Sequence, residues 1–232
     1  MGRVGLLQSM LATNASTILK STTLLSNNKF FQLHYDVISS DDETLLFQYL
    51  DPIFRRKKYQ GKHWDSVIAH YKEVELETVP TNVSELLSRL RATIRVMLRD
   101  HDIAFIPPHA LDLDKGGSIS PHVDSVKFSG DLIAGLSLCS TRILRLSAAP
   151  QEFKRAGDSP ATTLDSAGAR VIDEHELYLP PRSLYLLRGP LRYDYCHAIL
   201  GKGDESDALP VISEEILDRR ISVMFRNEAP KF

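Results

Sequence analysis

Between Pro107-Pro108 and Arg226 the chain passes through a series of short apolar stretches divided by turn residues, with no helical pattern between them. Parallel neighbours in a sheet need a crossover of a dozen residues or more, usually a helix. Strands without such crossovers turn back on themselves, so the pattern predicts antiparallel pairing in a sandwich or barrel. The strand-like runs are His109 to Leu113, Ser118 to Val126, Leu132 to Leu138, Arg142 to Ser147, His175 to Leu179, Ser183 to Leu187, the stretch around Tyr193 to Ile199, and residues 219 to 226. Two helical patterns precede them. Residues 39 to 51 read as a helix opened by a capping box of Ser40 and Glu43 and limited by Pro52. Asn82 to Arg99 reads as a longer one, with Leu86, Leu87, Leu90, Ile94, Met97 and Leu98 in one stripe and Arg89, Arg91, Arg95 and Arg99 on a wet face. Helices first and strands after give an α+β chain. The polar segments 149 to 170 and 201 to 207 read as loops.

The last strand carries the first chemical signal. Strand side chains alternate between faces, so Arg220, Ser222, Met224 and Arg226 share one face while Ile221, Val223 and Phe225 share the other. Two guanidinium groups on a core strand are costly unless they meet anions. The planar fork of arginine suits a carboxylate, which it can hold by two bonds.

His122 and Asp124 carry the second. At the start of a strand this spacing aims an imidazole and a carboxylate to one side. Such a pair makes up two-thirds of the facial triad that holds non-heme Fe(II). The candidate for the missing histidine is His197, in Tyr193-Asp194-Tyr195-Cys196-His197. The spacing alone is common, and the chain contains a second instance, His34-Tyr35-Asp36. The arginines separate the two. An iron held by two His and one Asp keeps three open positions, which a 2-oxoacid and dioxygen would fill. Zinc in a hydrolase takes the same ligands, but then the paired arginines have no task.

The remaining composition narrows the partners. A net charge of −2 argues against affinity that rests mainly on neutralising phosphates. A local basic run, Arg55-Arg56-Lys57-Lys58-Tyr59 with Lys62-His63-Trp64-Asp65 after it, could grip a nucleic acid strand; the plainer reading is a solvated segment beside a core tryptophan. Cys139 and Cys196 form no disulfide framework or zinc spacing. No apolar run is long enough to span a bilayer. Residues 1–35 contain Arg3, Lys20 and Lys29 but no acidic residue, and Val4, Leu6, Leu7, Met10 and Leu11 can share a helix face. That is the composition of a mitochondrial transit peptide.

Taken together, the run from His122 to Leu138, the His197 segment and Arg220-x5-Arg226 resemble the AlkB family of Fe(II)/2-oxoglutarate dioxygenases, most closely its mitochondrial branch. Agreement extends from about residue 36 to 227 and includes His63-Trp64-Asp65, Ser183-Leu184-Tyr185, Arg192-Tyr193-Asp194 and Arg219-Arg220-Ile221-Ser222-Val223. The resemblance implies a double-stranded β-helix (jelly roll) with supporting N-terminal helices over residues 36–232. It implies that His122, Asp124 and His197 bind the catalytic Fe(II). Arg220, assisted by Ser222, would pair with the distal carboxylate of 2-oxoglutarate, and Tyr185 and Arg226 would complete that pocket. The implied reaction couples decarboxylation of 2-oxoglutarate by dioxygen to hydroxylation of a C–H bond. Base-repair members carry a second acidic residue two past the metal aspartate, where this chain has Val126, so DNA is disfavoured as a substrate. The branch implies protein hydroxylation in the mitochondrial matrix, with roles in alkylation-induced programmed necrosis and fatty-acid metabolism. Demethylation of mitochondrial RNA and a mainly non-catalytic death-signalling scaffold stand as alternatives.

Overall fold

The computed structural model describes residues 29–62, 67–150, 174–204 and 218–229. Its elements in chain order are β1 (Phe31–His34), α1 (Ser40–Arg55), β2 (Gln60–Lys62), β3 (Ile68–Glu75), α2 (Thr81–Leu98), β4 (His109–His122), β5 (Ile133–Leu138) and β6 (Arg142–Ala148), followed by β7 (Glu174–Leu179), β8 (Leu184–Leu187), α3 (Gly189–Tyr193), β9 (Tyr195–Ile199) and β10 (Arg220–Arg226). Every pairing is antiparallel, in the order β1-β8-β5-β10-β4-β9-β6-β7, with β3 also on β4 and β2 on β3. The sheet curls over on itself into the two facing layers of a double-stranded β-helix.

Strand β4 makes the curl. Its first half pairs with β10 and β3, and its end pairs with β9 in the opposite layer. Between them, four residues of β4 (114–117) stand against the single residue His70 of β3, because Leu113 pairs with Tyr71 and Ser118 with Ala69. Such a bulge bends a strand and increases its twist. Gly117 allows it, since a Cβ there would come 2.8 Å from the His70 carbonyl. The carbonyls freed at Asp114 and Lys115 accept from the buried guanidinium of Arg142 at 2.8 and 3.4 Å.

Two apolar clusters follow from the alternation of side chains. Inside the roll, Leu111, Leu113, Ile133 and Leu187 meet Leu144, Leu146, Leu177 and Ile199. Outside it, α1 and α2 lay Leu46, Leu50, Phe54, Leu86, Leu90 and Ile94 over Ala134, Leu136, Ile221, Val223 and Phe225. Strands β5 and β8 are therefore buried on both faces and read as unbroken apolar runs. Full burial of each such Leu or Ile contributes roughly 1.5–3 kcal/mol.

Several boundaries differ from expectation. The capping box forms one residue early, from Ser39 and Asp42, and Glu43 is drawn instead to the Cys139 N–H and Arg182. Pro52 lies inside α1 rather than ending it, because the buried Phe54 and the Asp51–Arg55 pair hold one more turn. The arginines of α2 are not uniformly wet. Arg95 donates to the Ile103 carbonyl at 2.9 Å and sits 5.0 Å over the Phe105 ring. The two runs expected on either side of the Gly116-Gly117 pair are one strand, β4. Tyr193 ends a short helix led by Gly189 and Pro190, and the strand begins at Tyr195. Strand β1, within the segment read as a leader, pairs with β8. Residues 1–28 of that leader, 63–66 with Trp64, 151–173 of the first loop and the end of the second lie outside the described residues.

Arg219 ties the helices to the sheet. It holds the fully buried Asp112 of β4 through two bonds of 2.9 and 2.8 Å and reaches Asp51 of α1 at 2.5 Å. Its hydrogen bond is the main influence holding the Asp51 carboxyl below the ordinary range; burial opposes it, and the charges of Arg219 and Arg55 add to it. A depressed carboxyl contributes stability that is complete above its unfolded value of about 4 and is lost as pH falls through the lower folded value. Arg219→Met should lower stability at neutral pH by about 3–5 kcal/mol, because it removes the cation paired with the buried Asp112 and leaves it the Tyr59 hydroxyl. It should also flatten the loss of stability on the acid side. Urea unfolding across a pH series reads both, and an unchanged midpoint at neutral pH would show that the network is not stabilising.

Candidate metal centre

Where β4 enters the second layer, His122 pairs in register with His197 of β9. Directly opposed residues of an antiparallel pair point to the same face, and the two rings lie 4.2 Å apart. Asp124, just past the end of β4, turns its carboxylate to the same point. Its Oδ1 is 3.2 Å from His122 Nε2 and 3.5 Å from His197 Nε2. The three ligand atoms fall within 4.8 Å of one another, and no other such group occurs among the described residues.

The hydrogen bonding of this group favours a cation. His122 Nδ1 lies 2.9 Å from the Ser120 carbonyl. Donation there leaves the Nε2 lone pair facing Asp124, as in histidines that ligate metals. Burial first, and the charge of His122 next, push His197 down to about 4 against the pull of Asp124. At neutral pH it is therefore the neutral imidazole that metals need. Burial alone would raise Asp124; the Arg226 guanidinium beside it leads the influences that overcome burial and hold it well below the carboxylate range. Lone pairs and a carboxylate meeting at one point repel unless a cation joins them.

The aspartate is held from behind. The buried Arg192 donates to the Asp124 carbonyl at 2.8 Å, to Ser129 Oγ at 2.9 Å and to the Gly130 carbonyl at 3.2 Å, stapling the turn that follows β4. Arg226 Nε reaches Asp124 Oδ2 at 2.8 Å.

Beyond the triad a cavity runs between the layers, lined by all seven residues singled out in the sequence: His122, Asp124, Tyr185, His197, Arg220, Ser222 and Arg226. Arg220 is 1% exposed, and its Nε donates to Ser137 Oγ at 2.9 Å. Its Nη2 is buried without an acceptor among the described residues. Burial lowers its pKa to about 10, with Tyr185 and Cys139 pulling the other way, so it stays charged at neutral pH. A buried charged donor without a partner costs more than a hydrogen bond returns, and a carboxylate would satisfy it. The Tyr185 ring lies across Gly135, where a Cβ would come within 2.4 Å of it. Burial raises the Tyr185 hydroxyl to about 12, keeping it a neutral donor whose recorded partner is the weak acceptor Met224 Sδ at 3.7 Å.

The second His-x-Asp instance is not gathered into a site. His34 Nε2 bonds to Gln32, and Asp36, at φ +49°, pairs with Arg182. Tyr59 of the basic run is also engaged, with Lys72 Nζ 3.9 Å over its ring and its hydroxyl on Asp112. Sequence reasoning gave no site role to Arg192, Gly135, Glu73 or His109, although Arg192-Tyr193-Asp194 was among the runs that carried the resemblance. The glycine inside an apolar strand was a readable sign of close approach, whereas nothing local marks the roles of the other three.

No protein-family model matches the chain. It is 35% identical over 170 residues to the mouse (Mus musculus) protein named alpha-ketoglutarate-dependent dioxygenase alkB homolog 7, mitochondrial, an alignment spanning 72% of this chain and 66% of that one. The bovine (Bos taurus) protein of the same name is 36% identical over 200 residues, 82% of this chain and 75% of that one. Among solved structures, OsALKBH1 superposes with a TM-score of 0.56 at 11% identity, covering 85% of this chain and 98% of that one. At that identity it speaks for the fold alone.

Arg192→Lys keeps the charge but cannot bridge three acceptors. Divalent metal binding, titrated with Mn(II), should weaken by about 10–100-fold, as for other residues that orient a ligand. Unchanged affinity in a folded variant would show that Asp124 needs no such support.

Proposed function

The chain belongs to the AlkB family of alpha-ketoglutarate-dependent dioxygenases, and we propose that it uses His122, Asp124 and His197 to hold Fe(II) and Arg220 to hold the distal carboxylate of 2-oxoglutarate. The observation that carries this assignment is the unmatched Nη2 of Arg220, a buried cation at the floor of the cavity that the triad opens into. Ser222 shares its face, and Tyr185, close by across Gly135, offers a neutral hydroxyl. Arg226 serves Asp124 directly, keeping it ionised. Iron with 2-oxoglutarate supplies the chemistry of the family: dioxygen oxidises 2-oxoglutarate to succinate and carbon dioxide, and the second oxygen atom enters a C–H bond of the substrate. The protein's part is to fix both groups and keep water out. Ile68, Leu111, Ile119, Ile199 and Met224 form the apolar remainder of the wall.

The substrate we propose is a protein, hydroxylated in the mitochondrial matrix in a pathway of programmed necrosis and fatty-acid metabolism. The relatives' names support a mitochondrial address. A transit peptide would end before Phe31, since β1 is hydrogen-bonded into the sheet. RNA demethylation is the weaker reading. The basic run that suggested it has Arg55 paired with Asp51 and Tyr59 occupied by Lys72 and Asp112. Asp112, next in sequence to Leu111, faces away from the cavity.

The test is succinate release by purified protein given Fe(II), 2-oxoglutarate and dioxygen. Asp124→Ala should abolish release. Arg220→Met should raise the KM for 2-oxoglutarate roughly tenfold or more, the worth of a charge-assisted pair. An unchanged KM would overturn the role given to Arg220. Methylated mitochondrial tRNA supplied to the same enzyme should yield no formaldehyde above Asp124→Ala, and release above it would favour the RNA reading. Rescue of deficient cells by Asp124→Ala would favour the scaffold.

A further inference from the structure

Two polar side chains in the cavity take no part in holding iron or 2-oxoglutarate. They are Glu73 of β3 and His109 of β4. Across the sheet Glu73 stands opposite Leu111, two residues on from His109 along β4. His109 Nε2 comes 3.2 Å from Glu73 Oε2. That is ion-pair distance, yet the nitrogen is not aligned for a hydrogen bond and has no other acceptor or donor among the described residues. Burial outweighs the pull of Glu73 and holds the imidazole below its ordinary pKa, with Arg226 pushing the same way. The ring is thus neutral at neutral pH and does not neutralise Glu73.

The other charges of the cavity are accounted for. Asp124 has Arg226, and Arg220 has the carboxylate proposed for it. Among the described residues, Glu73 is left as a partly exposed carboxylate with no cation beside it, 3.2 Å from a buried imidazole nitrogen without a hydrogen bond, and that nitrogen is costly until a donor meets it. Their position says what meets them. The side chains of Glu73 and His109 are 35% and 29% exposed, against 1% for Arg220, so they stand at the mouth and not at the floor.

We infer that Glu73 and His109 select the substrate, and that the group they receive is the positively charged side chain of a polypeptide, lysine or arginine. Its N–H groups donate to the Glu73 carboxylate and to His109 Nε2, in the tautomer with the ring proton on Nδ1. The inference rests on the protein-substrate reading above and names the feature of the peptide that the site reads. The same carboxylate at the mouth repels phosphate, which disfavours a nucleic acid there.

The test gives protein loaded with Fe(II) and 2-oxoglutarate separate pools of random peptide with one fixed residue: lysine, arginine, norleucine or glutamate. Hydroxylation is read by mass, and binding by anisotropy of fluorescent pools without dioxygen. Lysine and arginine pools should bind and react roughly tenfold better than norleucine, the effect of one charge-assisted hydrogen bond. Glu73→Gln should erase most of that preference. Glu73→Lys should invert it toward the glutamate pool, an outcome that a merely structural Glu73 cannot produce. His109→Phe should raise the KM for the cationic pools and leave that for norleucine unchanged. Hydroxylation without a preference for cationic residues, or a preference surviving Glu73→Gln, overturns this inference and leaves the protein-substrate reading standing. No product from any pool overturns both.

Discussion

The passage of β4 from one layer to the other is the constraint on which the rest depends. One end of the strand lies beside β10, where Leu113 pairs with Arg220, and the other lies beside β9, where His122 pairs with His197. Both halves of the site are thereby fixed by one continuous backbone. The crossing is possible because Gly117 lets β4 approach the His70 carbonyl and because Arg142 takes up the carbonyls that the bulge leaves without strand partners. An unpaired buried carbonyl is expensive, so a buried guanidinium with several donors is an effective closure at this point.

Arginine does similar work throughout the interior. Among the described residues, Arg142, Arg192 and Arg220 are the largest side chains that are fully buried. Arg142 serves the carbonyls of 114, 115 and 218, and Arg192 serves the turn that presents Asp124. Each converts the cost of a buried charge into local rigidity by meeting several acceptors at once. Arg220 differs from them. Its recorded acceptor is Ser137 Oγ, while its far end opens toward the cavity. Arg142 also keeps one buried donor without a partner among the described residues, its Nε, but the unmatched Nη2 of Arg220 belongs to a side chain that lines the cavity, and that place is the mark of a ligand. Arg219, next in sequence, turns to the opposite face and joins α1 to the sheet through Asp51 and Asp112.

Much of this was legible in the sequence because the two periodicities of side-chain direction are local properties. The face shared by Arg220, Ser222, Met224 and Arg226 and the apolar stripe of α2 follow from spacing alone, and both are present. The errors fall where a distant residue decides. Glu43 was a reasonable capping partner for Ser40, but Arg182 and the Cys139 N–H compete for it, so Ser39 and Asp42 cap the helix. Pro52 reads locally as a stop; Asp51 and Phe54 carry the helix past it through contacts made elsewhere. Strands β1, β2 and β3 show weak alternation and exist by virtue of the strands they pair with. Arg192 was visible in a matching run but its role was not, and Glu73 carries no local sign, since both roles arise from what the fold brings to them.

The sequence by itself determined the chemistry available: an imidazole and a carboxylate aimed to one side, a second imidazole farther along, and two guanidinium groups on one face of the last strand. The spacing alone does not say which His-x-Asp pair is completed; the tertiary structure supplies the physical reason. His34 and Asp36 have the same spacing as His122 and Asp124, yet β1 pairs with β8 and brings them no third ligand, while β4 pairs with β9 and brings His197. The physical reason is one of range. Side-chain alternation is fixed within a few residues, whereas the meeting of β4 with β9 depends on how strands some 75 positions apart in the chain share a layer.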